Sequence, residues 1–558
     1  MDNEGSTRSH IRLGLLLDSP AASKYVRDFA ALVQSQHNLT IATALLISPG
    51  KNYPANRTTL GNCFFKLIVA IERILLRKNK RHYDHFNTFD ISTIIPGGPI
   101  IDLKDDGAWS TIGLLNIDLF IAFSKVVPQK LPAAARLGVV RLTHSGELTK
   151  SGPAGFWEVY TRKDVTGFAV ERLTSTAQAT DVLLAGYAGT QFYYLLNQAT
   201  LFEKSHYYLF KTIERIRCLS ETPKDCADTL PSPAFPEIPS APQSISYLLG
   251  LTYLIAGKTR EKFHNFERQW NVGYVRSDWR RATSAYVCII ENPPRHILAD
   301  PFVVSRRGKT FCFVEDLDGT TNRGKITVYS VDKDDPTYVG IALTEDCHLS
   351  FPYMFEYRGE LYMCPETSEK QEIRIYRCAD FPLRWKLEKV LMKDISAVDT
   401  LLFERNGRWW MMTNTDPAKW GDHSLELRIF SATSPLDDVW TPHPGNPFLI
   451  DASRTRNGGI VLEGDRIFRV AQGQGFDMYG KRTTINEIVQ LDENSYAERC
   501  IHEISPVVES GIAGTHHLHT NGAITTFDFA HDGTMTKTVK RPKFTKIVNL
   551  RDCQSLGS

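Results

Sequence analysis

Ala299-Asp300-Pro301-Phe302-Val303-Val304-Ser305-Arg306-Arg307-Gly308-Lys309-Thr310-Phe311-Cys312-Phe313-Val314-Glu315 reads as an apolar strand, a Gly-marked turn and a second strand that ends in a carboxylate. The unit recurs. Phe351 to Gly359 leads into Glu360 to Glu366, and Val398 to Gly407 leads into Arg408 to Thr413; fainter copies lie at Gly459 to Gln472 and His517 to Asp528. The turn glycines Gly308, Gly359, Gly407, Gly464 and Gly522 follow one another at steps of 51, 48, 57 and 58 residues. Short β-rich runs at such a period mark propeller blades of four strands each. Five copies predict five blades.

The 558 residues, 42% hydrophobic and 23% charged, are enough for several cores, and we expect two domains. Lys and Arg number 65 against 63 Asp and Glu, a net charge of +2, so no global field favours nucleic acid, which is not expected as a partner. The ten cysteines form no Cys-x-x-Cys pair, and Cys312 and Cys364 fall inside blade strands. They read as reduced, buried thiols rather than a disulfide framework or a zinc site, and no metal is expected. The apolar run after His10 is broken by Asp18 and Pro20 too early for a signal peptide, and the longest one elsewhere, Ile245 to Ala256, is shorter than the ~20 residues of a membrane span. The expectation is a soluble, cytoplasmic protein without a transmembrane segment.

Ahead of the repeats the pattern changes. Ile11 to Leu17 is a buried-strand run, Val26, Phe29, Ala30 and Val33 mark one helix face, and Leu39 to Ile47 is a second strand. This β-α-β beginning predicts a parallel sheet with crossover helices. A further amphipathic helix carries Leu67, Ile68, Ile71, Ile74 and Leu75 and ends in Arg77, Lys78, Lys80 and Arg81. That basic end complements the helix dipole, and it also offers peripheral contact to an anionic membrane surface or sugar-lipid. Gly138 to Leu142 is a strand that opens into Thr143-His144-Ser145-Gly146-Glu147. Such a loop at the carboxyl end of a parallel strand is where α/β folds place ligand groups, which makes His144 and Glu147 candidate binding residues. Six prolines between Leu219 and Leu248 read as a linker. The expected division is an α/β domain at 1–218, a Pro-rich linker and connecting helix at 219–268, and an all-β propeller at 269–550.

Propeller inner strands face a common axis, so equivalent residues of successive blades meet there. Asp300 and Asp399 precede the inner apolar strands of the first and third copies, while Glu315 and Glu366 end the second strands of the first and second. Glycoside chemistry needs at least two carboxyl groups around one sugar carbon. We therefore expect Asp300, Glu366 and Asp399 as catalytic residues, with Glu366 as proton donor because its apolar setting would raise its pKa. Glu315, Arg456, Arg469, Gln472, Tyr479 and His517 are expected to bind substrate.

Two resemblances extend these readings. The span Asp118 to Leu183 resembles the amino-terminal, Rossmann-like α/β domain of folate-dependent formyltransferases in the order of its strands, short helix and Gly-rich turn. It departs in chemistry: Arg141, Thr143 and Thr174 stand where that family has Asn, His and Asp, and of the family's triplet only Ser145 is kept. Folate is thus not expected as a cofactor, and formyl transfer is the weakest functional alternative. The segments Ala299-Asp300-Pro301-Phe302, Pro365-Glu366-Thr367, Val398-Asp399-Thr400, Arg456-Asn457-Gly458-Gly459 and Arg469-Val470-Ala471-Gln472 with Tyr479-Gly480 resemble the glycosidase-like five-bladed domain at the amino end of plant glucosamine inositolphosphorylceramide transferases. Bacterial proteins that fuse this domain behind a formyltransferase-like one are similar too. More distantly the repeats resemble the furanosidase propellers of glycoside hydrolase families, which take three acids from separate blades. Arg456 and Asn457 replace the third of those acids, and in the plant proteins the transfer unit proper is a separate carboxyl-terminal domain.

These resemblances imply a carbohydrate-active protein, first a sugar transferase in glycan or glycoconjugate synthesis. The alternatives are a furanosidase-type hydrolase and a non-catalytic glycan-binding scaffold. A transferase would take a nucleotide or lipid-linked sugar as donor, although Met1 to Lys51 contain no Gly-rich phosphate motif.

Overall fold

The computed structural model describes residues 10–47, 60–78, 87–124, 126–144, 153–173, 180–218, 238–263, 269–281, 287–506, 512–531 and 544–545. Two compact units divide the chain, Met1–Ile255 and Ala256–Ser558. Among the described residues no helix is long and apolar enough to cross a membrane.

The first unit is built on a seven-stranded sheet in the order Ile100–Asp102, Leu39–Leu46, Ile11–Leu17, Leu119–Ala122, Val139–His144, Val165–Leu173, Thr180–Gly189. Leu13, Leu15 and Leu16 are fully buried because Ile11–Leu17 is central and covered on both faces, which is why it reads as an unbroken apolar run. One face packs against Phe29 and Val33 of the helix Lys24–Gln34 and Leu209 and Ile213 of the helix Tyr194–Cys218; the other packs against Ile112 of Ala108–Leu114. The expected parallel sheet holds only for the first five strands. Val165–Leu173 runs antiparallel to Val139–His144, and Thr180–Gly189 runs antiparallel to Val165–Leu173. A mixed sheet of this kind is shared by many α/β proteins, so the α/β class stands while the formyltransferase-like, Rossmann-like reading has no support in the fold. Residues 219–237 of the expected linker lie outside the described residues; the helix Ala241–Phe263 takes up much of the rest.

The second unit is a five-bladed propeller. Blade 1 comprises His296–Arg306, Lys309–Asp318, Arg323–Ser330 and Thr337–Leu343; blade 2 comprises Ser350–Tyr357, Glu360–Glu366, Glu372–Asp380 and Arg384–Lys393. Blade 3 starts with Ala397–Arg405, Arg408–Thr415 and Glu426–Ala432, and blade 4 runs Arg456–Glu463, Arg466–Gly475, Met478–Leu491 and Tyr496–Pro506. In blade 5, Leu518–Thr520 pairs with Thr525–His531 at the end of the domain, and Thr525–His531 pairs with Gln269–Val275 from its beginning, which in turn pairs with Cys288–Ile290. The inner strands pack each against the next, and blade 5 returns to blade 1. Closure by this shared sheet leaves no open ring edge.

Local sequence explains the hairpins. Gly308, Gly359 and Gly407 have φ of 72°, 79° and 72°, and Arg307, Arg358 and Asn406 before them have 54°, 50° and 55°. Two successive positive φ values make the primed turn whose twist matches that of the flanking strands. Gly459 serves a different need: a Cβ there would lie 2.2 Å from the Leu518 backbone oxygen, and its φ is +125°. Blade 4 thus presses directly on blade 5, and Gly459→Ala is expected to lower the unfolding free energy by ~2 kcal/mol or more, measured by urea denaturation.

Candidate functional site at the propeller axis

Every inner strand interrupts its ladder at the same level. Pairing shifts between Ala299 and Phe302, between Ser350 and Tyr353, between Val398 and Leu401, and between Asn457 and Gly459. In blade 5, Ile512–Gly514 and Leu518–Thr520 pair with one strand and leave Thr515, His516 and His517 between them. The displaced residues Asp300, Phe351 and Asp399 have φ of +49°, +46° and +50°, a left-handed conformation that costs energy for non-glycine side chains. Strain repeated at one level of three blades re-aims three side chains. Opposite the residue that precedes the shift stand Glu315, Glu366 and Asn414 in blades 1, 2 and 3, and in blade 4 Gln472 stands opposite Arg456, one residue earlier. A ring of polar side chains results, set by the repeat itself.

Blades 1 and 5 share a buried floor. Asp528, fully buried, accepts the backbone N–H groups of His516 and His517 at 3.0 Å each through Oδ1 and that of Asp300 at 3.2 Å through Oδ2. His516 Nδ1 lies 2.8 Å from Asp528 Oδ1. Burial acts to raise the Asp528 pKa, but His516, His517 and the N–H donors outweigh it and hold the carboxylate below the ordinary aspartate range. Asp300, also buried, accepts the Phe351 N–H at 3.3 Å through Oδ2, while its Oδ1 has no hydrogen bond and lies 3.5 Å from His516 Nε2 and 3.6 Å from His517 Nδ1. Burial, then the charges of Glu315, Asp399 and Asp528, push its pKa well above the ordinary value, with Arg456 opposing. Asp300 is therefore the carboxyl group of this cluster whose surroundings favour the protonated form most.

Asp399 has a different environment. Its Oδ2 accepts Arg456 Nε at 2.6 Å and Gln472 Nε2 at 3.3 Å, and its backbone oxygen accepts Asn457 Nδ2 at 2.8 Å. Burial raises its pKa, Arg456 opposes this, and the Glu366 charge adds to it. Asp399 thus has a guanidinium in contact where Asp300 has only the His516 and His517 rings, and the displacement is greater for Asp300. Paired acids with unlike environments are the arrangement that separates a proton donor from a carboxylate. At the rim His348 Nε2 contacts Glu315 Oε1 at 3.1 Å while Nδ1 accepts the Gly324 N–H at 3.0 Å, so Nε2 carries the proton. Glu366 is half-buried and accepts the Ser368 hydroxyl at 2.8 Å.

One side of the cluster is aromatic. The Tyr479 ring, 40% exposed, stands 5.1 Å from the Arg456 guanidinium and 5.3 Å from His516, and Trp270 is 4.1 Å from His516. Gly480 makes the approach feasible, because a Cβ there would meet the Trp270 ring at 2.7 Å. Exposed aromatic faces beside carboxylates can take the apolar faces of a sugar ring while the acids take its hydroxyls.

Asp300, Glu315, Glu366, Asp399, Arg456, Gln472 and Tyr479 thus come together. Arg469 does not join them: it is fully buried and gives its donors to Glu498 at 2.6 and 2.8 Å, Thr455 O at 3.0 Å, Asn457 Oδ1 at 3.2 Å and Arg454 O at 2.9 Å. His517 is wholly enclosed against Phe302 and Phe351, and burial pushes its pKa down to about 3, so it is a neutral wall rather than an exposed sugar ligand. The greater burial falls on Asp300 rather than on Glu366, where the proton donor was expected. In the first unit His144 also faces the interior, with Nε2 3.1 Å from Ser205 Oγ and its ring 4.9 Å from Phe202. Glu147, Ser145 and Thr174 lie outside the described residues. Arg141 ion-pairs with Glu171 at 2.7 Å, and the Thr143 hydroxyl donates to the same carboxylate at 3.3 Å.

Sequence reasoning missed Asp528, His516, Asn414, His348 and Trp270. Asp528 had a signal, a lone acid between Phe527 and Phe529 in a strand; Trp270 had none, because closure from the other end of the domain brings it there. Asp300, His516 and Asp528 place three potential metal-ligand atoms within 4.8 Å of one another. Asp528 Oδ1 receives two N–H groups and lies 2.8 Å from His516 Nδ1, whereas Asp300 Oδ1 has no hydrogen-bond partner among the described residues.

Fold and cluster together define a five-bladed propeller with an acidic axial centre. Residues 277–515 match the family model described as Glucosamine inositolphosphorylceramide transferase 1, N-terminal. The chain is 35% identical over 244 residues to Glucosamine inositolphosphorylceramide transferase 1 of Arabidopsis thaliana, covering 40% of this chain and 31% of that protein. It is 33% identical over 262 residues to the protein of that name from Oryza sativa subsp. japonica, covering 45% and 34%. The chain spans about a third of the length of the curated relatives it matches. Among solved structures it is similar to a thermostable family-43 glycoside hydrolase at 12% identity and a TM-score of 0.32, over 42% of this chain and 86% of that one.

Proposed function

We propose that the propeller binds the sugar part of a glycoconjugate at its axis and that the chain takes part in sugar transfer during synthesis of that glycoconjugate. The observation that carries this reading is the pair of buried aspartates, Asp300 raised by burial with no guanidinium in contact and Asp399 held by Arg456 and Gln472. Asp300 donates its proton to an oxygen of the bound sugar, Asp399 steadies developing positive charge, and Glu315 and Glu366 orient hydroxyl groups. Tyr479 and Trp270 supply the platform. A glycolipid acceptor is supported by the match to proteins named glucosamine inositolphosphorylceramide transferase. A nucleotide or lipid-linked sugar is the donor that such a reaction requires. Hydrolysis would use the same two aspartates with water as acceptor, and Arg456 and Asn457 in place of a third acid weigh against it.

A thermal-shift panel of free sugars, nucleotide sugars, inositol-phosphate glycolipid headgroups and folates tests the reading, since ~100-fold saturation adds about 2.7 kcal/mol to stability. A sugar-containing ligand is expected to shift melting, and Tyr479→Ala is expected to weaken its binding by ~10-fold or more. A shift that Tyr479→Ala and Asp399→Asn leave untouched would place the sugar elsewhere.

A further inference from the structure

The first unit carries an outward apolar surface on two neighbouring helices. In Leu60–Leu75 the inward face is anchored by Glu72, which is fully buried and accepts the backbone N–H groups of Tyr194 at 3.1 Å and Leu195 at 2.7 Å and the Tyr247 hydroxyl. Phe65 packs beside it on Phe156 and Tyr194. That anchoring fixes the rotation of the helix and turns Leu60, Leu67 and Ile74, spaced seven apart, to the outside; Leu60 is 71% and Ile74 65% exposed. The helix Ala241–Phe263 does the same. Ser244, Tyr247 and Leu251 point inward, while Ile245, Leu249 and Tyr253 are exposed. The two helices meet at their starts, where a Cβ on Gly61 would lie 2.8 Å from the Pro239 oxygen, and again at the Glu72–Tyr247 contact.

A surface helix ordinarily shows its polar side to water. Here the outer stripe is apolar on both, and its charged neighbours have one sign. Lys66, Arg73, Arg77 and Lys78 are exposed along residues 60–78, the only acid in that stretch is the buried Glu72, and residues 241–255 contain no charged side chain. We propose that this face docks on an anionic lipid bilayer, its apolar stripe entering the headgroup boundary and its cations meeting lipid phosphates and carboxylates. Charge decides against a second copy of the chain as the cover, because face-to-face pairing would bring the cationic rows together with no exposed acid on either helix segment to answer them. None of these residues belongs to the axial cluster, so the inference stands on its own observation.

Flotation of the full chain with phosphatidylcholine vesicles, with and without phosphatidylserine, tests it. Partitioning is expected to be at least ~10-fold stronger with phosphatidylserine and to weaken as salt is raised. Leu67→Ser with Ile74→Ser and Leu249→Ser should lose ~10-fold or more while the melting temperature stays unchanged, because these side chains are exposed. Arg77→Gln with Lys78→Gln should lose the phosphatidylserine preference alone. Equal partitioning onto both vesicles by the unaltered chain would overturn the proposal. So would a lipid-free dimer in sedimentation equilibrium that the triple variant abolishes, since the face would then belong to a second copy.

Discussion

Asp300→Asn is expected to cut turnover of the glycoconjugate substrate by ~10² or more while the propeller remains folded. The amide is a neutral isostere of the protonated carboxyl group that burial favours at Asp300, and its oxygen can still accept the Phe351 N–H that Asp300 Oδ2 receives at 3.3 Å. What it cannot do is give the proton away. The pH dependence follows from the same shift. A raised folded-state pKa means that the protonated form, and the stability tied to it, is fully present below the ordinary aspartate range and is lost as pH rises through the folded-state value. Activity of the unaltered protein should therefore fall on an alkaline limb that lies above the ordinary aspartate range, and the variant's residual activity should lack that limb. Turnover that is unchanged, with the limb intact, would remove Asp300 from the chemistry. Asp399→Asn separates the second role: it leaves Arg456, 2.6 Å away, without its counter-charge, so stability and turnover should fall together.

The largest effect on stability is expected at a position that the sequence suggested for substrate binding. Arg469→Met should destabilise the propeller by ~3–5 kcal/mol, because Glu498 would remain buried without the cation that holds both of its oxygens. Burial acts to raise the Glu498 pKa, but Arg469, with the Tyr496 hydroxyl and Arg454, outweighs it and leaves the group below the ordinary glutamate value. The contribution is present above the unfolded-state pKa and is lost as pH falls through the depressed folded-state value. Denaturant midpoints measured between neutral and acid pH should thus show the variant's deficit shrinking as acid protonates Glu498. A variant as stable as the parent at neutral pH would mean that solvent reaches the pair. Glycan binding serves as the control: if Arg469 is structural, Arg469→Lys should lose stability in greater proportion than ligand affinity.

The sequence alone determined the propeller, because its evidence is local and repeated. The first hairpins of blades 1 to 3 each need two residues at positive φ at the turn, and Arg307-Gly308, Arg358-Gly359 and Asn406-Gly407 announce that requirement at steps close to the length of one blade. The acids at Asp300, Glu315, Glu366 and Asp399 were legible for the same reason, since a residue's place within a repeat fixes its place around an axis. Tertiary structure decided the rest. Whether a carboxyl group keeps its proton depends on what buries it and which charges face it, and those come from other blades: Asp528 and His516 for Asp300, Arg456 and Gln472 for Asp399. Ring closure carried Trp270 from the beginning of the domain to the axis, beyond the reach of any local pattern. Arg469 looked like a ligand because an arginine's partner cannot be read from its neighbours in sequence; Glu498, on the fourth strand of the same blade, claims it. Local spacing specifies turns and periods, whereas protonation and pairing are set by groups far apart along the chain, and only the folded ring brings those together.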